Sequence, residues 1–483
     1  MVLKILGAAF SAFFPTAYTV HIVVGIITVL VFRAFSQGRR TNRERDLHAR
    51  KILVTGGFTP IGLTILQCLA QRGAHIIALS PHSVDSPEVT VIISLLRTTF
   101  SNEEIYAEQC DLASPSSIRS FCTRFLTGKD QRIDAIIFAH EYQHIGTASF
   151  ISGTRTAETD TAKRESSSLA TFLMTTLLLP ALLVAPVERD IRLIAVVNPF
   201  YAAAAGRTST IPFPSRSTTP PSNAIFLQEG VRSLRTSIFT RHLQRILDAL
   251  PNAQVPQTDE GSSTIPVVSP KTQRSNIVAV SVSPGISRAD TIAPLLNADW
   301  TSPSGFSTTG VILYLLLQPL LRIFAKSPMA SVQTVLHALF LPTPFRILRT
   351  KAASDKPNSS KGGPIESSVT DMPEEVLKPG ALYAECAVVR VKVPPPSDPQ
   401  ASEKSQGNGK AKAREVLEIA DDGEFGGEVM GRLVWEAYED ALKAWEAANP
   451  SEEKRFDIVT TICLFDLADR CTRVHKGLQC KVT

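Results

Sequence analysis

KILVTGGFTPIG, residues 51–62, runs a short apolar strand into a glycine turn, and its reading decides the fold. In a strand-turn-helix unit of this kind the glycines let the backbone turn tightly after the strand. They also let a dinucleotide pyrophosphate rest against unpaired N–H groups at the helix start. Pro60 stands where the second glycine of a TGxxxGxG pattern is expected. A proline brings a ring and no N–H, so it alters the phosphate seat even where the turn and the helix form.

Toward the C-terminus strand-like and helix-like runs alternate, the pattern of an α/β, Rossmann-like doubly wound parallel sheet with helices on both faces. Strands are expected over 51–54, 75–79, 105–109, 133–139, 191–197 and 277–282. Helices are expected over 61–72, 89–100, 115–125, 169–183 and 231–250, the last with basic residues on one side. IDAIIFA at 133–139 is continuously apolar, as a strand covered on both faces reads. Tracts at 206–222, 252–275, 351–370 and 394–412 are rich in Ser, Thr, Pro, Gln or charge and read as loops or insertions, which accounts for many of the 32 prolines. The expected organisation is an anchor with a basic flank over 1–48, the Rossmann-like domain over 49–345 with insertions at 206–222 and 252–275, an extension of it over 346–448, and a tail over 449–483 without assignable pattern.

Toward the N-terminus, residues 5–32 carry no formal charge, and TVHIVVGIITVLVF at 19–32 approaches membrane-spanning length once the preceding residues are added. Arg33, Arg39, Arg40, Arg43 and Arg45 follow it, against Lys4 before it, so the positive-inside bias places the large domain on the cytosolic side of a single-pass anchor. A second apolar run, VILYLLLQPLLRIF at 311–324, is short and broken by Pro319, and reads as a substrate-side or membrane-surface helix. The net charge of +5 owes much to the arginine cluster, so no nucleic-acid partner is inferred. Seven cysteines, an odd number without CxxC spacing, fit a reduced compartment.

TGGFTPIG, Asp111-Leu112, the helix SSLATFLMTTLLLP ending at Pro180, and VSPG at 282–285 together resemble the short-chain dehydrogenase/reductase superfamily. KSPMASVQTVLHAL at 326–339, GALYAEC at 380–386 and LVWEAYEDAL at 433–442 are similar to the C-terminal part of its membrane-anchored, retinol-dehydrogenase-like members. The resemblance implies an NAD(P) site touching Thr55, Gly56, Gly57, Ile61, Gly62, Ser80, Asp111, Leu112, Ala139, Pro284 and Gly285. It also implies a lipid-soluble alcohol or carbonyl as substrate and the endoplasmic reticulum as membrane, with the mitochondrial outer membrane as alternative. Members of the family use a tyrosine, a lysine four residues on that lowers its pKa, a substrate-orienting serine, and an asparagine on the interior helix. Carried over position by position, the asparagine falls at Ser167, the serine at Asn198, the tyrosine at Ala224 and the lysine at Gln228. Ala224 has no proton to give and Gln228 no charge to depress a phenol's pKa.

His140-Glu141-Tyr142-Gln143-His144 satisfies HExxH, the zinc-protease pattern, with Glu158 or Glu165 as conceivable third ligand. That pattern needs a helix. Here it follows a β-branched strand directly and meets Gly146 within a turn, so no metal is expected. Trp435, Tyr438, Leu442, Leu433 and Trp445 read as one packed helix face, Cys386 as buried, and 374–378 and 421–428 as solvated charge clusters. The expected function is a membrane-anchored, weakly active or non-catalytic binding or scaffold protein on the bilayer, its protein partner undetermined. The alternative is an active NAD(P)-dependent oxidoreductase on a lipid-soluble small molecule.

Overall fold

A computed structural model describes residues 16–128, 131–148, 157–186, 189–206, 224–250, 256–257, 267–268, 276–299, 306–343, 375–394 and 421–449. One sheet is built from β1 Lys51–Thr55, β2 His75–Ser80, β3 Ile105–Gln109, β4 Ala135–Phe138, β5 Ile191–Val196, β6 Ile277–Ser283, β7 Leu382–Ala384 and β8 Ala387–Val389. Their spatial order is β3-β2-β1-β4-β5-β6-β7-β8, and all neighbours are parallel except the antiparallel β7–β8 pair. The chain order reverses between β1 and β4, so β1 and β4 lie side by side with Val54 opposite Ile137. This is the doubly wound arrangement whose ligands sit beyond the carboxyl ends of the strands at the reversal.

The helices are α1 Thr16–Gln37, α2 Pro60–Ala70, α3 Pro87–Phe100, α4 Pro115–Thr127, α5 Ala157–Leu183, α6 Tyr201–Ala204, α7 Ile225–Ala249, α8 Thr308–Phe324, α9 Pro328–Phe340 and α10 Gly427–Ala448. Strand side chains alternate between two cores. Leu53, Ile136, Phe138, Leu193 and Ala279 meet α4, α5, α7 and α10, whereas Ile52, Val54, Ile137, Ile194 and Val280 meet α2, α3 and α9. The expected aromatic face of α10 lies in the first core: Phe172 stacks on Tyr438 at 5.0 Å, and Trp435 stands edge-on to Phe172 at 5.2 Å.

Two charged stretches are enclosed. The basic side of α7 is not solvated: Arg232, Arg235 and Arg245 are buried, because α7 is covered both by the sheet and by α10. The cluster at 421–428 is not simply solvated either, since Asp422 pairs with Arg241 and Arg245 and fastens the entry of α10 to α7. The expected insertion at 206–222 falls almost wholly outside the described residues, as do 351–370 and most of 394–412, 449–483 and 252–275. Within the last, Pro256–Gln257 and Val267–Val268 pair antiparallel.

α1 is long and apolar enough to cross a membrane, and its window Val20–Gln37 buries none of its surface. α5 passes the same test but is mostly buried, as a core helix is. α8 lies against α1, with Phe32 and Phe324 ring centroids 6.1 Å apart. Residues 38–50 then run as a strap along α9. Thr41 N–H donates to Gln333 Oε1 at 3.3 Å, Arg45 pairs with Asp190 at 3.0 Å, and Leu47 is buried just before β1.

Candidate functional site at the carboxyl edge of the sheet

The glycine turn forms despite Pro60. Thr59 is the N-cap of α2, its hydroxyl accepting from Gly62 N–H at 3.2 Å, and Pro60 takes the first helical position, whose N–H has no intrahelical acceptor anyway. Gly56 turns at φ +64°, and a Cβ there would stand 2.8 Å from the His140 backbone. At Gly62 a Cβ would strike the Gly56 carbonyl oxygen. Both glycines are therefore required by how closely the turn approaches the end of β4 and the start of α2.

The N–H of Ile61 points out of that helix start, where an anion is favoured by the dipole and by unpaired donors. It donates to Asp290 Oδ1 at 3.0 Å. Asp290 lies in the π-turn Arg288–Ile292 beyond β6, fully buried, with Ser287 Oγ donating to its Oδ2 at 3.0 Å. Burial pushes the carboxyl up to about 6. The other expected nucleotide contacts are also engaged internally. Ala139 N–H donates to Thr55 O at 3.2 Å, Pro284 O accepts from Lys326 Nζ at 2.8 Å, and Gly285 O accepts from Tyr142 OH at 2.6 Å. Gly57 packs its Cα side toward Ala78 and Leu66. Farther along the edge Ser80 is buried and accepts from His82 N–H, Asp111 accepts from Ala113 N–H at 2.9 Å within its own turn, and Leu112 leans on the core.

The structure brings the four family positions to the same side of the sheet, around a buried polar cluster. Ser167 presents its carbonyl to His140 Nε2 at 3.1 Å, while Thr55 Oγ1 is 2.7 Å from Nδ1. These partners assign the Nε2–H tautomer, and burial lowers this histidine to about 4, so it is neutral. Asn198 is fully buried and braces a loop, its Nδ2 donating to Tyr142 O and its Oδ1 accepting from Phe200 N–H, both at 3.3 Å. Ala224 is the N-cap residue of α7, and its carbonyl accepts from Gln228 N–H. Gln228 Oε1 accepts from Arg164 Nη1 at 2.8 Å.

Behind Gln228, Glu229 is wholly buried between Arg164 Nε and Arg232 Nη2, each at 2.6 Å. Arg232 also donates to the carbonyls of Glu141 and Gln143. The Glu141 carboxyl, raised by burial, accepts from Thr171 and, at 2.6 Å, from Thr236. The HExxH segment is thus a turn. Its glutamate is held by hydroxyls, His140 faces Thr55, and His144, lowered by burial to about 4, sits among Phe200, Phe226 and Glu229. Sequence reading missed Asp290, Lys326, Arg164 and Arg232. The only available signal was the nearness of Asp290 to the Pro284-Gly285 turn.

A KR domain family profile matches residues 51–159. The chain is 27% identical over 179 residues to the uncharacterized oxidoreductase pbr1 of Schizosaccharomyces pombe, a match covering 37% of this chain and 46% of that protein. It is 25% identical over 335 residues to the uncharacterized oxidoreductase YNL181W of Saccharomyces cerevisiae, covering 66% and 74%. Over 137 residues it is 33% identical to dehydrogenase/reductase SDR family member 13 of Homo sapiens, covering 28% and 33%. The match to pbr1 thus spans about half of that relative's length. Glycine turn, strand order and these similarities agree in supporting a member of the short-chain dehydrogenase/reductase superfamily.

Proposed function

We propose that this protein is a membrane-anchored scaffold of the short-chain dehydrogenase/reductase fold that carries out little or no hydride transfer. The observation that carries the reading is the Asp290 carboxylate on Ile61 N–H. A carboxylate there meets an incoming pyrophosphate with like charge and takes the donor it would use. The residues present therefore do not fit NAD(P) in the family's usual seat. The proton chemistry is missing as well: Ala224 and Gln228 hold the tyrosine and lysine positions, and Tyr142 is held by Gly285 O with burial raising its pKa further. The exposed apolar α1 supports an anchor, the arginines after it support a cytosol-facing domain, and the likeness to retinol-dehydrogenase-like members supports the endoplasmic reticulum.

Calorimetric titration of the detergent-solubilised full chain with NADH and NADPH tests this. No saturable heat is expected for the native protein, and binding is expected to emerge in Asp290→Ala, which frees the Ile61 donor. Tight binding by the native chain would end the reading. A second reading, an NAD(P)-dependent oxidoreductase on a lipid-soluble alcohol or carbonyl, is favoured by the intact Gly56 and Gly62 geometry and by the oxidoreductase names of the relatives. It requires the Asp290 turn to swing aside, and turnover of a lipid carbonyl by the native chain would establish it.

A further inference from the structure

α1 and α8 form an exposed apolar pair. α8 turns Ile312, Leu315, Leu316, Leu320 and Phe324 outward, and α1 exposes apolar side chains from Val20 to Phe35. The pair is tied at one end by Ser36 Oγ donating to Ile323 O at 2.5 Å, Gln37 Nε2 to Ala325 O at 3.2 Å, and Ser327 N–H to Gln37 Oε1 at 3.1 Å. At that end Arg33, Arg288, Arg322, Gln37, Ala325 and Ser327 line a cavity of about 260 Å³. The three guanidiniums come from α1, from the turn after β6 and from the last turn of α8. Among the described residues none of the three is in an ion pair. Like charges gathered around one hollow repel unless an anion sits between them, and guanidinium forks suit phosphate oxygens. The volume lies below the ~300–1,000 Å³ of ordinary small-molecule pockets, which suits a small headgroup. The hollow also lies where the apolar surface of the helix pair gives way to polar residues, the level of lipid phosphates.

We propose that this cavity holds the phosphate of an anionic phospholipid headgroup, with the acyl chains lying along the exposed faces of α1 and α8. The assignment rests on the membrane-embedded reading of α1 given above. The test is the thermal unfolding of the full-length protein in non-ionic detergent, titrated separately with dioctanoyl phosphatidic acid, dioctanoyl phosphatidylcholine and inorganic phosphate. Phosphatidic acid is expected to raise the midpoint saturably, phosphatidylcholine to leave it unchanged, and inorganic phosphate to act only at far higher concentration. Arg288→Gln and Arg322→Gln, at positions that are not buried, should each weaken the phosphatidic acid response about tenfold, the loss of one charge-assisted pair. An equal response from the double variant and the native chain overturns the proposal. An equal response to inorganic phosphate overturns the lipid as source, and an equal response to phosphatidylcholine overturns the phosphate site. Alkaline carbonate extraction of cell membranes reads the anchor separately: release of the chain with the lipid response intact refutes the anchor and not the cavity, and retention without a response does the reverse.

Discussion

The two edges of the parallel sheet both bury charge, and they use it differently. At the amino edge Arg192 is almost wholly enclosed, pairing with Asp190 at 2.8 Å and donating to the carbonyls of Ala338, Leu339 and Leu341. Those carbonyls end α9 and lack intrahelical donors, so the arginine closes a helix C-terminus and answers its dipole. Asp134 nearby accepts from Lys51 N–H and faces Arg50 and Arg132. At the carboxyl edge Asp290 also meets a helix end, the start of α2, but it is pushed toward its neutral form. Cation at a C-terminus and anion at an N-terminus are both favourable; the amino-edge pair binds two elements of the fold, whereas the carboxyl-edge contact occupies the place this fold keeps for a ligand.

The largest expected effect is at the amino edge. Arg192→Ala leaves Asp190 and three carbonyls without their donor and should cost about 3–5 kcal/mol in urea unfolding. A loss below about 1 kcal/mol would show that Arg45 alone can hold Asp190 and would erase the contrast.

At the carboxyl edge the charge itself is the variable. Burial pushes the folded Asp290 carboxyl up to about 6, above the ordinary aspartate range near 3.8, so the native state binds its proton more tightly than the unfolded chain. Its contribution to stability therefore falls as pH rises from about 4 to about 6, by up to ~3 kcal/mol for roughly two pKa units, and stays low above that. Asp290→Asn removes the titration. The variant should match the native chain near pH 4 and exceed it by an amount that levels off above pH 6. Parallel pH profiles for the two proteins would mean the carboxylate is not under strain.

The smallest effect belongs to Pro60. Pro60→Gly should lower stability by under about 1 kcal/mol through the freer unfolded chain. It should not by itself produce NADPH binding while Asp290 remains, and binding in this variant would shift the blame for the closed seat from the carboxylate to the proline.

β1, the glycine turn and α2 were legible because a short apolar run, the glycines that follow it and an amphipathic helical pattern are all local signals. The strands at 105–109 and 191–196 were readable on the same ground. The charges of α7 were not: helical periodicity assigns arginines to solvent, and only the docking of α10 across that side shows that Arg232 and Arg235 are enclosed. Asp290 stands 229 residues from Ile61, and nothing in a local pattern joins them. The loss of the Tyr and Lys positions could be read at Ala224 and Gln228, but what replaced them, a guanidinium from Arg164 and a buried Glu229, needed three dimensions.

The strap over residues 38–50 bears on geometry at the bilayer. It begins at Gln37 beside Ser327, at the start of α9, and passes Arg45 beside Leu339, near the end of α9, before entering β1. A glycine- and serine-rich leash would let the domain tumble and reach sideways. This one is pinned along its length, so the proposed anchoring of α1 would give the domain a fixed heading, with the carboxyl edge, where Lys326 meets Pro284 O, nearer the lipid and the amino edge farther from it.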